Sequence, residues 1–271
     1  MNVEELIKDY QNGVKIKELT KKYCCSTNTI SKILDLYEIP KRVKKANRNK
    51  DISKFKDLDS PITQYWLGFI CADGNIEYDT KTRNYKVSLF SKDQEVINKY
   101  IEYFGSDIVK LYTRKQNGIL EASICCKELC EYFINELNIV PNKSLTLDPN
   151  VKYTSDFIRG YFDGDGCIRS PHEKTRYEAS ITSGSLIFLE KIKNELNKNE
   201  VQCSIIKRKE CNAANIHIYN KKNITNLFKF LYENSTVYLT RKYDIFVALL
   251  EKSVDENWVN CWNVKDNQQP S

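Results

Sequence analysis

The chain is poor in histidine: His172 and His217 are the only two among 271 residues, which excludes a histidine-rich metal centre. It lacks any apolar run approaching the roughly 18 residues a membrane-crossing helix needs, and it lacks a secretory leader. Both absences predict an intracellular, cytoplasmic protein with reduced thiols. Its 10 cysteines also lack an organising pattern. Neither the adjacent pairs Cys24/Cys25 and Cys125/Cys126 nor Cys126/Cys130 has the paired short spacing of a zinc ribbon or finger, so most of the cysteines read as small core residues. What is not lacking is apolar content: with 41% hydrophobic and 29% charged residues, the chain has the composition of a folded protein with one main body and a small satellite.

Charge is unbalanced in one place only. Residues 1–50 hold twelve Lys and Arg against six acids, which accounts for the whole formal net charge of +6 and leaves the remainder even. A phosphate backbone would bind such a segment. Within it, residues 3–10, 15–23 and 27–37 read as short helices, with Leu6, Ile16, Leu19, Tyr23, Ile30, Ile33, Leu34 and Tyr37 at helical spacing. The stretch KELTKKYCCSTNTISKIL resembles a helix-turn-helix, although Thr20 and Cys24 stand where that family has a small residue and a glycine. The resemblance implies that the second helix, capped by Ser26 or Thr27, presents Thr27, Asn28, Ser31 and Lys32 to base edges. Pro40 stops the last helix. The expected organisation is a helix-turn-helix domain over 1–44, a basic linker over 45–60, and two further segments, 61–150 and 151–271.

Those two segments repeat one another. With Asp73-Gly74 laid over Asp165-Gly166, Ile76 meets Ile168, Tyr85 meets Tyr177, Leu89 meets Ile181 and Ser91 meets Ser183. Each copy reads as a helix (61–73; 154–164), an alternating strand (85–91; 177–183), a helix (93–104; 185–197), two strands (108–113 and 119–125; 202–208 and 215–220) and a closing helix (127–137; 222–233). A further strand directly after the first helix would complete an αββαββα order. The first helix of each copy ends in WLGFICADG or IRGYFDGDG, with small residues four apart at Gly68 and Ala72 and at Gly160 and Gly164. A face without bulk lets two helices pack closely. Each helix then ends in an acid followed by a glycine, which suggests a left-handed stop. Close packing would set Asp73 and Asp165 side by side at the negative ends of two helix dipoles, an arrangement that calls for a positive charge.

The two nine-residue segments resemble the paired motifs of a single-chain LAGLIDADG homing endonuclease, and PNKS (141–144) and YLTRKYD (238–244) fit the same family. The resemblance implies an α+β fold in which tandem αββαββα repeats form a pseudo-two-fold saddle, preceded by the small all-α domain. It implies Mg2+ held at Asp73 and Asp165 with Gly74 and Gly166, and hydrolysis of one phosphodiester on each strand of double-stranded DNA. It further implies supporting lysines at the start of each closing helix, here Lys127 and Lys222 with Lys221 as a neighbour, and water-positioning roles for Ser91 and Ser183. Asp163, which faces Cys71 across the repeat, reads as structural. DNA contacts would come from the sheets through Lys86, Arg114, Lys115, Gln116, Arg169, Arg176, Lys207, Arg208 and Lys209, with Arg241 and Lys242 on backbone phosphate or bracing the last helix. Two motifs in one chain imply a monomer. An RNA-binding maturase acting on structured intron RNA, and a DNA-binding regulator without catalysis, are alternatives on the same fold; Met1 and Ser271 give no sign of protein splicing.

Overall fold

The computed structural model describes residues 2–41, 50–114, 118–169, 177–208 and 212–251. Lys115, Gln116, Arg176 and Lys209, read as DNA contacts, lie outside the described residues. The chain divides into two units, residues 1–48 and 49–271.

The first unit is a three-helix body: α1 (Val3–Gln11), α2 (Ile16–Lys22) and α3 (Thr27–Leu36). Leu6, Tyr10, Leu19, Ile30 and Leu34 close into its core. The Asn2 side chain accepts from the Glu5 N–H and Ser26 Oγ from the Thr29 N–H (3.1 Å), so α1 and α3 begin at side-chain caps. Cys24 takes the left-handed conformation (φ 50°) in the turn between α2 and α3, the role a glycine would fill more cheaply. Two residues assigned to the apolar stripe stay outside: Ile16 is the first residue of α2 and Tyr37 follows the end of α3, both past the reach of the seam. Tyr23 is half-buried because its hydroxyl donates to Asp9 (2.8 Å), which also takes the Lys22 ammonium.

The second unit opens with α4 (Ser53–Lys56) and then runs twice through one order. The first pass is α5 (Pro61–Asp73), β1 (Gly74–Asp79), β2 (Asn84–Ser91), α6 (Gln94–Phe104), β3 (Lys110–Thr113), β4 (Leu120–Ile124) and α7 (Lys127–Asn135). A 3-10 turn (Lys143–Leu145) leads to α8 (Ser155–Asp165), β5 (Gly166–Ile168), β6 (Glu178–Ser183), α9 (Leu186–Lys198), β7 (Cys203–Lys207), β8 (Ala214–Tyr219) and α10 (Lys221–Tyr232); α11 (Thr240–Glu251) closes the described chain. The order αββαββα is therefore present twice, in an α+β fold.

Each copy builds a four-stranded antiparallel sheet, in the orders β1-β2-β4-β3 and β5-β6-β8-β7. Registers repeat as well as orders: Gly74 pairs with Leu89 and Gly166 with Ile181. One face of the first sheet, carrying Val87, Leu89, Ala122 and Ile124, is fully buried with the helices; Ala179, Ile181, Ile216 and Ile218 do the same in the second.

Residues 50–60 correct the expected linker. Ile52 and Phe55 are buried, the Phe55 ring stacks on Phe104 (3.8 Å between centroids), and the Lys50 ammonium donates to the Ile108 carbonyl (2.6 Å). The segment looks polar because only Ile52, Phe55 and Leu58 face inward, one residue in three. No helix among the described residues is long and apolar enough to cross a membrane.

Candidate active site

The first helix of each copy starts at a cap, Ser60 for α5 and Thr154 for α8, and ends at the acid. Every residue of α5 from Thr63 to Cys71 is buried, as is every residue of α8 from Phe157 to Asp163, so both are core helices without a solvated face. They cross glycine on glycine. A Cβ on Gly68 would stand 2.0 Å from the Phe157 carbonyl oxygen, and one on Gly160 would stand 1.9 Å from that of Tyr65. Nearer the helix ends, a Cβ on Gly164 would meet Ala72 Cβ at 2.4 Å and Asp73 Oδ2 at 3.3 Å. The backbone approach predicted for Gly68, Ala72, Gly160 and Gly164 is thus present, and it sets the Asp73 carboxylate against the opposite helix.

The glycines after the acids are not left-handed stops. Gly74 (φ −95°, ψ 157°) and Gly166 (φ −84°, ψ 158°) are extended, because β1 and β5 start on them. Their need for glycine is steric: a Cβ would come within 2.4 Å of the Ile70 or Phe162 carbonyl oxygen in the last helical turn.

Both carboxyls are pushed above the usual carboxylate range. Exclusion of water by the surrounding protein is the main cause for each; for Asp73 the negative charge of Asp165 adds to it and takes the group to about 6. The opposing positive charges are Lys143 and Lys242. Lys143 is buried and its ammonium donates to the Gly74 carbonyl. Lys242, also buried, donates to the carbonyls of Phe162 (2.6 Å), Gly164 (3.4 Å) and Gly166 (2.5 Å). Each repeat therefore supplies an acid, a glycine carbonyl next to it, and an ammonium on that carbonyl. Burial lowers both lysines from their ordinary range, Lys242 to about 8.

This arrangement corrects the lysine assignment. Lys127 lies on the outside of α7 paired with Glu131 (3.1 Å), and Lys222 is exposed in a polar cleft with Asn197, Glu200 and Asn220; neither acts on Asp73 or Asp165. Of the two roles read for Lys242, a contact to backbone phosphate or a brace for the last helix, its burial under three main-chain carbonyls fits the brace. The signal was in the sequence, since Lys143 and Lys242 are the lysines of PNKS and YLTRKYD, the segments already matched to the family. Start-of-helix position misled, because a lysine there is stable as an ordinary solvated residue.

Asp163 and Arg159 brace α8 from inside. Asp163 accepts from the Tyr65 hydroxyl (3.0 Å), the Tyr232 hydroxyl (2.8 Å) and the Leu239 N–H (2.8 Å), consistent with a structural role. The Arg159 guanidinium donates to the Val237 and Leu231 carbonyls and to Asp156. Ser91 and Ser183 accept from the Asp93 and Ser185 N–H groups in the turns that start α6 and α9. Ser91 also lines a cleft of about 290 Å3 with Asp73, Gly164 and Arg241, the last exposed and 3.4 Å from Asp93.

The remaining basic residues separate into those held in ion pairs and those exposed. Lys86 and Arg114 pair with Glu121, and Arg169 with Glu178 (3.2 Å); Lys207 and Arg208 are exposed at the end of β7. Thr27, Asn28 and Lys32 are exposed on α3 and Ser31 is half-buried.

The donor set at the helix ends suits a hard divalent cation. It consists of two carboxylates with main-chain carbonyls beside them, and the nearby sulfur of Cys71 is buried, its thiol pushed up to about 12. Among the described residues no cluster of three or more His, Cys, Asp or Glu side chains competes for a metal.

Residues 152–231 match the LAGLIDADG-like domain. The LAGLIDADG-like stretch covers the second repeat from the turn before α8 into α10, with Gly160, Gly164 and Asp165 inside it. The chain is 29% identical over 191 residues to an uncharacterised protein of Methanocaldococcus jannaschii, across 66% of this chain and 65% of that protein's own length. In structure it is similar to a lysine-to-alanine mutant of I-SmaMI (13% identity, 71% of this chain and 92% of that one, TM-score 0.50), a likeness of fold. It also aligns with I-DmoI in complex with DNA and Mn (20%, 65% and 98%, TM-score 0.49) and with the homing endonuclease I-WcaI bound to its DNA recognition sequence (20%, 75% and 94%, TM-score 0.47).

Proposed function

We propose that the protein is a site-specific double-strand DNA endonuclease of the homing type, a single-chain LAGLIDADG enzyme with both motifs in one chain and a helix-turn-helix at its N-terminus. One observation carries the reading: two glycine-crossed helices end in Asp73 and Asp165, and each acid is opposed by two buried lysines, one from each repeat, with the lysine of the other repeat acting more strongly. A structural helix pair needs neither the two acids nor the two buried ammoniums, and it would be more stable without them.

The residues fit a phosphodiester. Asp73 and Asp165 would hold Mg2+, with the Gly74 and Gly166 carbonyls adjoining, and the bound ion would supply Lewis acidity and charge neutralisation at the phosphate. The chain's own part is electrostatic. Lys143 and Lys242 are fixed by main-chain carbonyls, so their charge is in position before substrate arrives and favours the extra negative charge of the pentavalent phosphorus. The chain would act as a monomer. On the first unit, Thr27, Asn28 and Lys32 would meet DNA from α3.

The test is cleavage of a pooled DNA library with Mg2+, with an EDTA control and the Asp73→Asn, Asp165→Asn, Lys143→Met and Lys242→Met variants. Metal-dependent double-strand cuts in the wild type, lost in both aspartate variants and reduced about a hundredfold or more in the lysine variants, are expected. Cuts that survive in both aspartate variants would overturn the reading.

A further inference from the structure

The outer face of the first sheet carries a built layer of polar groups. Opposite the buried face, the registers align Lys86, Ser88 and Phe90 of β2 with Glu121 and Ser123 of β4, with Glu77 of β1 across from Lys86. Glu121 sits at its centre, 8% exposed. Its Oε1 accepts from the Lys86 ammonium (3.0 Å) and the Ser88 (3.1 Å) and Ser123 (2.8 Å) hydroxyls. Its Oε2 accepts from Arg114 Nε and Nη2, both at 3.3 Å. Lys86 also pairs with Glu77 at 2.8 Å.

Three consequences follow from this geometry. The carboxylate is saturated, so Glu121 cannot itself accept from a base. The layer balances two acids against two bases, so it exerts little net pull on phosphates, which are what draw unpaired surface cations. The Arg114 guanidinium is fixed: Glu121 grips its Nε–Nη2 edge, its carbon lies 4.4 Å from the centre of the Phe90 ring, and the side chain remains half exposed. The end-on Nη1–Nη2 edge is the one Glu121 does not grip, and on a half-exposed side chain it offers a fork of two donors. Two parallel acceptors in the DNA major groove match such a fork, the O6 and N7 atoms of guanine.

We propose that Arg114 reads a guanine in the half of the target that faces the first sheet, and that Glu121 is the positioning residue that holds it for that purpose. This deepens the nuclease reading and rests on it. The second sheet lacks the device. Arg208 occupies the place of Arg114, each donating the same kind of hairpin bond from its N–H (Arg208 to the Ala213 carbonyl, Arg114 to the Ile119 carbonyl, both 2.9 Å), but Asn215 stands where Glu121 does and Thr182 where Phe90 does. The guanine demand therefore belongs to one half-site.

The experiment is selection of bound duplexes from a randomised DNA library in EDTA by full-length wild type, Arg114→Lys and Glu121→Gln, with thermal melts to establish that the variants are folded. The wild-type consensus is expected to contain a guanine in one half-site. Arg114→Lys, which keeps the charge and loses the fork, should lower the preference for that guanine roughly tenfold or more at that single position. Glu121→Gln should blur the same position and steepen the salt dependence of binding, whereas a purely structural role would weaken all positions alike. A consensus unchanged in Arg114→Lys, or changed evenly across both half-sites, would overturn the assignment while leaving the nuclease reading intact. A folded wild type that enriches no motif would overturn both.

Discussion

A single buried acid decides whether α8 keeps its place. Asp163 gathers two tyrosine hydroxyls and one main-chain N–H in the core, and burial holds its carboxyl above the usual range despite these donors. Asp163→Ala would strand all three donors and is expected to cost about 3 kcal/mol or more, measured by urea unfolding; Asp163→Asn should cost less, since an acceptor remains. Glu121 is the opposite case. Burial alone would raise it, but the Lys86 ammonium with the Ser123 and Ser88 hydroxyls outweighs burial and holds it at about 2. A depressed carboxyl stabilises the fold above its unfolded value, near 4.5, and that contribution disappears as the pH falls toward 2. Melts of wild type and Glu121→Gln should therefore differ by up to about 3 kcal/mol at pH 6 and converge only as the pH falls to about 2. A constant difference across that range would remove the ion-pair explanation.

The motif helix is the element on which the site depends. It is buried all round and glycine-notched, so its packing is backbone on backbone, and tolerance for even one methyl group is absent. Gly160→Ala or Gly68→Ala would drive a Cβ into a main-chain oxygen about 2 Å away and is expected to cost about 3 kcal/mol or more, with a drop in Tm of several degrees. Cleavage should fall more steeply than stability, because forcing α5 and α8 apart also separates Asp73 from Asp165. An Ala variant with unchanged melting would mean that the helices cross elsewhere. Capping completes the element: Ser60 and Thr154 start the helices, and the extended Gly74 and Gly166 end them by turning straight into β1 and β5.

For the molecule as a whole, the repeat means that one chain holds both halves of the site. On the monomeric reading proposed above, mixing Asp73→Asn with Asp165→Asn protein should not restore double-strand cutting, since each molecule carries one intact acid. Restored cutting in the mixture would show that two chains share a site. The excess positive charge is confined to residues 1–50 while residues 51–271 are balanced, so salt should weaken DNA binding chiefly through the N-terminal segment. Charge reversal at Lys32 is therefore expected to flatten the salt dependence by about one counterion, read from binding isotherms at several salt concentrations.

The element order, the repeat and the paired acids were legible in the sequence because they depend on local patterns: alternation for strands, spacing of small residues for the crossing helices, and an acid before a glycine at each end. Position in three dimensions was not. Lys143 and Lys242 come from segments far along the chain from the acids they oppose; the segments PNKS and YLTRKYD were visible, but nothing in them shows that their lysines, rather than Lys127 and Lys222, are buried beside the acids. Residues 50–60 resembled a linker because one buried residue in three is too sparse a pattern to announce burial, and only the ring of Phe104 gives Phe55 its place. Sequence alone determined that two repeated helices each end in an acid before a glycine, at Asp73 and Asp165. Tertiary structure decided which cations oppose them and which bases are already neutralised, because burial and charge pairing are set by neighbours that sequence spacing does not encode.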